Sequence, residues 1–196
     1  MGQSCLFLAS QSPRRAELLH QWGVPFEVIG NRLLTESLPE SGSLSQLRKR
    51  LRRLATLKAR ASGAGYSGIV LGADTIVVHR RRVLGKPRDL KEAAFMLSCL
   101  SDSWHQVLSG VCLWDTRTRL LRSFCVGAGV RFRTLSSAQI EAYISDYEVL
   151  DKAGGYAIQE IGNEFVSQVR GSYSTVVGLP EYPLKYYLRQ WGVSTR

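Results

Sequence analysis

Residues 69–78, Ile-Val-Leu-Gly-Ala-Asp-Thr-Ile-Val-Val, constrain this chain more than any other stretch, because two apolar triplets enclose a single carboxylate, Asp74. Short aliphatic and β-branched runs of this kind suit strands in a packed interior, so 69–71 and 76–78 read as a strand pair. An unpaired carboxylate is costly to bury. Asp74 must therefore be paired, protonated, or kept at a cleft for metal or proton work. Gly72, two residues earlier, permits close approach by a backbone or a ligand.

The rest of the chain supplies helices to cover such strands. Residues 5–9 form an apolar run that ends in Ser10-Gln11-Ser12-Pro13, after which Ala16, Leu18, Leu19 and Trp22 recur at helical spacing until Gly23. Residues 43–61 predict a long basic helix, and Asp89 with Glu92 caps another that runs to Leu100. Strands are expected at 107–114 and 120–132, antiparallel across a turn at 115–119, followed by a helix from the Ser136/Gln139 capping box to about Tyr147. The glycine-rich segment 151–159 reads as a loop leading into a strand. Residues 165–169 and 173–177 suggest a hairpin around Arg170-Gly171, and 182–191 a final helix stopped by Gly192. Interleaved strands and helices make the fold class α/β.

Length and composition exclude several classes. With 196 residues, 44% hydrophobic and 21% charged, the chain is an ordinary globular one, long enough for a single domain over 1–196 without disulfide or metal staples. No apolar run approaches the roughly 20 residues of a bilayer span, and the opening lacks the basic segment of a secretory leader, so the expectation is no membrane and a cytoplasmic location. Cys5, Cys99, Cys112 and Cys125 have no metal-type spacing and read as buried thiols. Three scattered histidines leave only a hard cation bound by oxygen as a metal candidate.

Charge is the unusual quantity. Lys plus Arg number 26 against 16 acids, a formal net charge of +10. No acid stands between Glu40 and Asp74, while residues 46–60 hold seven cations and 80–91 hold six more against Asp89 alone. A solvated face is one reading of such runs; a polyanionic ligand or nucleic acid is the other.

Two further positions carry chemistry. Ser12 as cap and Pro13 as first helical residue put Arg14 and Arg15 in the first turn, where the helix dipole is already positive and acids are preferred. Exposure to salt would make that tolerable. An anion held by backbone N–H groups, the Ser10 and Ser12 hydroxyls and two guanidiniums would make it useful. Lys58 continues the apolar stripe of Leu47, Leu51 and Leu54, so it either snorkels at the helix end or reaches a phosphate at the core rim. Lys86, in Leu84-Gly-Lys-Pro87, sits on a proline-shaped loop, and Gln159 offers a donor and an acceptor suited to a nucleobase edge. The GxGxxG match at 63–68 precedes a strand instead of a helix, and the 85–87 segment lacks the rest of a Walker loop, so neither is a nucleotide motif.

Taken in order, Leu8-Ala-Ser-Gln-Ser-Pro-Arg-Arg15, Glu17-Leu-Leu19, Lys58-Ala59, Gly72-Ala-Asp-Thr75, Gly85-Lys-Pro-Arg88, His105-Gln-Val107, Asp151-Lys-Ala-Gly154, Ile158-Gln159 and Val177-Gly-Leu-Pro180 resemble the Maf proteins over nearly the whole chain. The resemblance implies an elongated mixed sheet with flanking helices and two lobes around a central cleft, usually as a homodimer. It implies a nucleoside triphosphate pyrophosphatase that uses a divalent cation, Mg2+ or Mn2+. Carried over by position, Asp74 is the catalytic base. Ser10, Arg14, Arg15, Glu36, Lys58 and Lys86 line the polyphosphate and metal site, with Glu36 and Asp74 as metal ligands and Glu40 as the alternative to Glu36. Arg14, Thr75 and Gln159 match positions tied to substrate choice. The Asp-Lys-Ala-Gly…Ile-Gln form resembles the branch acting on dTTP and UTP, with the 7-methyl-GTP branch as the alternative; Glu160 replaces the glycine usual after that glutamine. The remaining rival is a basic nucleic-acid-binding module, although no aromatic–basic interleaving of the kind that stacks bases is present.

Overall fold

The computed structural model describes residues 5–32 and 40–196. Its centre is a seven-stranded mixed sheet in the order β2-β1-β3-β5-β6-β7, with β4 paired to β3. The strands are β1 (Leu6–Ala9), β2 (Glu27–Val28), β3 (Ile69–His79), β4 (Arg82–Leu84), β5 (Trp104–Asp115), β6 (Leu121–Phe132) and β7 (Val166–Arg170). β1 runs parallel to both β2 and β3, whereas β3–β4, β3–β5, β5–β6 and β6–β7 are antiparallel.

Helix α1 (Pro13–Gln21) follows β1, and α2 (Leu44–Gly63) precedes β3. Further along come α3 (Leu90–Leu100), α4 (Ser137–Asp146), α5 (Ile158–Phe165), α6 (Tyr173–Val177) and α7 (Glu181–Gln190). Alternation along β3 sorts the layers. Ile69, Leu71, Ala73 and Val77 join the large core beneath α1 and α3–α7, while Val70, Ile76 and Val78 pack against Leu47, Leu51, Ala55 and Ala59 of α2. Both capping boxes form, with Ser43 and Gln46 opening α2 and Ser136 and Gln139 opening α4.

Three expectations about local structure are corrected. Residues 69–78 are one continuous strand, since Gly72 and Asp74 interrupt the apolar pattern without interrupting the pairing to β5. The segment after the glycine-rich turn is α5 and not a strand: Ile158 and Ile161 are buried in its first part, and Gly162, at φ +38°, kinks the helix before the buried Phe165. Residues 173–177 form the short helix α6, so β7 finds its partner in β6 instead of a hairpin. A Ser-Thr-Val-Val run favours strand locally, and packing overrides it. The thiols are also uneven: Cys112 is buried, Cys99 and Cys125 are half-buried, and Cys5, which lies ahead of β1, is exposed.

The helix α2 lies unusually close to the sheet. A Cβ on Gly72 would stand 2.3 Å from the Ala55 carbonyl oxygen and 2.8 Å from the Ala59 nitrogen, and one on Gly110 of β5 would stand 2.8 Å from the Leu51 backbone. Both glycines are thus required by backbone contact. Gly72→Ala is expected to force α2 away from β3 and to destabilise the fold by about 1–3 kcal/mol, as overpacking does. Urea denaturation measures this, and an unchanged midpoint would contradict the close approach.

A second consequence of packing concerns His105 on β5, which is 2% exposed and bonds Tyr156 Oη through Nε2 at 2.6 Å. Burial, with a smaller contribution from His79, pushes its pKa down to about 3. The folded state therefore rejects a proton that the unfolded chain accepts near pH 6.5, so stability is lost as pH falls from about 6.5 towards 3. The limit is about 5 kcal/mol at 1.36 kcal/mol per unit. The parent should lose more stability between pH 7 and pH 4 than His105→Gln does; equal losses would rule the histidine out as the acid-sensitive group.

Candidate active site

The cleft of about 770 Å³ follows from the sheet's register. β1 stops at Ala9 opposite Gly72, and β4 begins to pair only at Val77. Between them residues 73–76 of β3 have no strand neighbour on that side among the described residues. The gap lies at the carboxyl end of a parallel strand, where open α/β sheets bind ligands. Because it opens the strand edge, side chains from both faces of β3 reach it: Asp74 from the α2 face and Thr75 from the opposite one.

Asp74 is paired. The close approach of α2 at Gly72 sets Lys58 against it, and Lys58 Nζ donates to Asp74 Oδ1 in an ion pair, the two side chains being 20% and 18% exposed. To the two readings of the inward lysine the structure adds a third, a carboxylate partner at the cleft floor.

On the other face Arg15 is held by neutral oxygens. It donates to Ser10 Oγ at 2.9 Å, to Thr75 Oγ1 at 3.0 Å and to the Gly178 carbonyl at 3.3 Å. Thr75 Oγ1 also lies 2.9 Å from Ser109 Oγ, which donates to the Thr175 carbonyl at 2.8 Å. Burial lowers the Arg15 pKa, the Asp74 charge opposes that shift, and Arg14 adds to it. Even so, the guanidinium remains a cation. The Ser12 side chain makes no capping bond to α1, whose first turn lines the cleft.

Arg14 reaches across to Asp151 at 3.3 Å. Burial acts to raise the Asp151 carboxyl, but hydrogen bonding from Lys152 and the charge of Arg14 hold it below its ordinary value. Lys152, 4% exposed, pairs with Asp151 at 2.8 Å and with Glu160 at 3.4 Å. Glu160 in turn accepts from Tyr143 Oη at 2.7 Å, and that oxygen accepts from the Ala157 amide at 3.2 Å. The acid standing where a glycine was expected thus braces the turn before α5. Gln159 is exposed and donates to Glu17 Oε2 at 3.3 Å. Lys86 lies on the loop after β4, which the Gly154 amide fastens through the Gly85 carbonyl at 2.9 Å.

The structure thereby gathers Ser10, Arg14, Arg15, Lys58, Asp74, Thr75, Lys86 and Gln159 around one cleft. Glu36 lies outside the described residues. Glu40 lines the cleft. Sequence reading missed Ser109, whose signal was a lone hydroxyl in an apolar strand, and the bracing roles of Lys152 and Glu160. Among the described residues, the lining cations Arg14, Arg15, Lys58, Lys86 and Lys152 outnumber the carboxylates Glu40, Asp74 and Asp151. That balance favours an anionic ligand.

The donor set also suits a hard cation. Among the described residues no group of three or more His, Cys, Asp or Glu could form a closed metal cage. Asp74 and Glu40 are carboxylates on a cleft wide enough for a ligand, and magnesium is commonly held by one or two carboxylates together with substrate phosphates and water.

A mixed sheet broken at the end of a parallel strand, with one carboxylate at the break and cations on either side, defines an α/β protein built around an anion-receiving cleft. The chain belongs to the Maf family: the family model described as Maf-like protein matches residues 5–191. It is 44% identical over 191 residues to the dTTP/UTP pyrophosphatase of Vibrio cholerae, covering 97% of this chain and all of the relative. It is 46% identical over 177 residues to that of Escherichia coli K12, covering 89% and 87%, and 45% identical over 188 residues to that of Symbiobacterium thermophilum, covering 95% and 94%.

Proposed function

We propose that this chain hydrolyses dTTP and UTP to the nucleoside monophosphate and pyrophosphate. The observation that carries the reading is the gap in the sheet, which puts Asp74 and the cations of two faces at one opening, in a chain whose relatives bear that name over nearly their full length.

In this reading Asp74 accepts the proton of a water that attacks the α-phosphorus, a general-base role for which a carboxylate at the cleft floor is suited. Lys58 holds the Asp74 carboxylate in place and, with Arg14, Arg15 and Lys86, stabilises charge on the polyphosphate and the departing pyrophosphate. Ser10 and the first turn of α1 supply neutral donors. Asp74 and an acid of the 36–40 segment, Glu36 or Glu40, would hold Mg2+ or Mn2+, which when bound neutralises phosphate oxygens. Arg14, Thr75 and Gln159 govern substrate choice. The chain acts as one unit over 1–196, as a homodimer and in the cytoplasm; the family resemblance supports the dimer, and no described helix is long and apolar enough to cross a membrane.

A panel of nucleoside triphosphates, 7-methyl-GTP among them, assayed with magnesium or manganese and scored for pyrophosphate separately from orthophosphate, tests the reading. Pyrophosphate from dTTP and UTP is expected. Orthophosphate as the product, or 7-methyl-GTP as the best substrate, would overturn it.

A further inference from the structure

The outward face of α2 carries a second cationic site. A groove of about 930 Å³, sharing no lining residue with the active-site cleft, runs between α2 and the start of β6. Arg48, Lys49, Arg52, Arg53 and Arg60 line it together with the hydroxyl-bearing Ser45, Thr56 and Ser123, and among the described residues no acid lines it. Arg48 donates to the Cys125 carbonyl at 3.0 Å and Arg52 lies 3.5 Å from Ser123 Oγ, which fixes two guanidiniums over the strand. Lys49, Arg52 and Arg60 are exposed.

Two physical features distinguish this face from an ordinary solvated one. Surface helices usually set acids four residues from their bases, but α2 contains no acid, and Arg48–Arg52 and Lys49–Arg53 are like-charge pairs at that spacing, each of which destabilises the helix. The charge is also concentrated in a concavity, where it focuses the field on whatever enters. From Lys49 to Arg60 the helix advances about 16 Å at 1.5 Å per residue, the length of about five phosphates along one strand of a duplex. Four of the five groove cations, Lys49, Arg52, Arg53 and Arg60, lie along that length. Among the described residues the groove holds no aromatic side chain on which a base could stack and no acid or amide to read a base edge.

We propose that this groove binds the phosphodiester backbone of a nucleic acid duplex without reading its sequence. The site is independent of triphosphate hydrolysis, and it would hold the enzyme on nucleic acid while the cleft stays open. Two copies of the chain could not pair through this face without bringing like charges together.

Fluorescence anisotropy with labelled mixed-sequence duplexes, one DNA and one RNA, between 50 and 200 mM salt provides the test. Binding is expected near 10⁻⁴ to 10⁻⁶ M at physiological salt, with log K falling roughly linearly with log salt. The triple variant Lys49→Gln/Arg52→Gln/Arg60→Gln should show a slope shallower by about 2.7, at roughly 0.9 per lost phosphate contact, with dTTP hydrolysis unchanged. The control Arg80→Gln/Arg81→Gln/Lys91→Gln removes the same charge elsewhere and should keep the parental slope. Equal losses in both variants would reduce the site to net charge. Binding to anionic lipid vesicles but not to either duplex, or tight sequence-selective binding, would also overturn the proposal.

Discussion

Asp74→Asn is expected to fold like the parent and to release pyrophosphate from dTTP about two to four orders of magnitude more slowly, the usual span for loss of a general base. The carboxamide is nearly isosteric, and Asp74 lies in a strand whose pairing to β5 uses only backbone groups, so the sheet has no reason to change. What changes is the proton acceptor, together with the charge that holds Lys58. Pyrophosphate release measured beside a thermal unfolding curve separates the two effects. A folded variant with parental turnover would remove Asp74 from the mechanism.

Gln159→Glu should abolish the choice of base while leaving pyrophosphate as the product. In the parent the exposed carboxamide can offer both a donor and an acceptor to the O4 and N3–H edge of thymine or uracil, and a base that covers it while leaving it unpaired costs about 1–3 kcal/mol. That corresponds to a preference for dTTP and UTP over purine triphosphates of about one to two orders of magnitude in kcat/KM. The substitution removes the donor, faces the carbonyl oxygens with a charge, and sets a second carboxylate against Glu17, to which Gln159 now donates. The ratio of kcat/KM values for dTTP and dGTP is the readout. If the ranking of bases survives in Gln159→Glu, the base is read elsewhere in the cleft.

Local chemistry made much of the fold legible before the structure. The Ser43 and Ser136 capping boxes, the Asp89 cap and the Pro13 start are decisions taken within four residues, and each helix begins where its cap stands. Non-local decisions were harder to read. Nothing within 173–177 says that those residues will coil over β5 and β6, and nothing within 69–78 says that the glycine and the carboxylate belong to an unbroken strand. The site shows the same division. Lys58 betrayed itself by falling in an apolar stripe, but its partner Asp74 is brought there only by the close packing of α2 on Gly72. Arg15 was legible as a misplaced charge at a helix start, whereas its bonds to Thr75 and Gly178 reach segments distant in sequence, beside the local one to Ser10. Glu160 was visible as a departure from the family pattern, and only its contacts to Lys152 and Tyr143 give it a structural role.

The interrupted edge of β3 bears on how such a protein stays dispersed. Bare strand backbone is normally an invitation to foreign strands, which extend the sheet and seed aggregates. Here the bare stretch among the described residues is only four residues long, and β1 closes it at one end while β4 closes it at the other. An incoming strand would need a longer run to register, and would meet Asp74 and its lysine on one side and Arg15 on the other. Internal placement therefore leaves backbone available to a small molecule while denying it to a polypeptide. A catalytic opening made by ending one strand early avoids the aggregation hazard that the same opening would carry at the rim of the sheet.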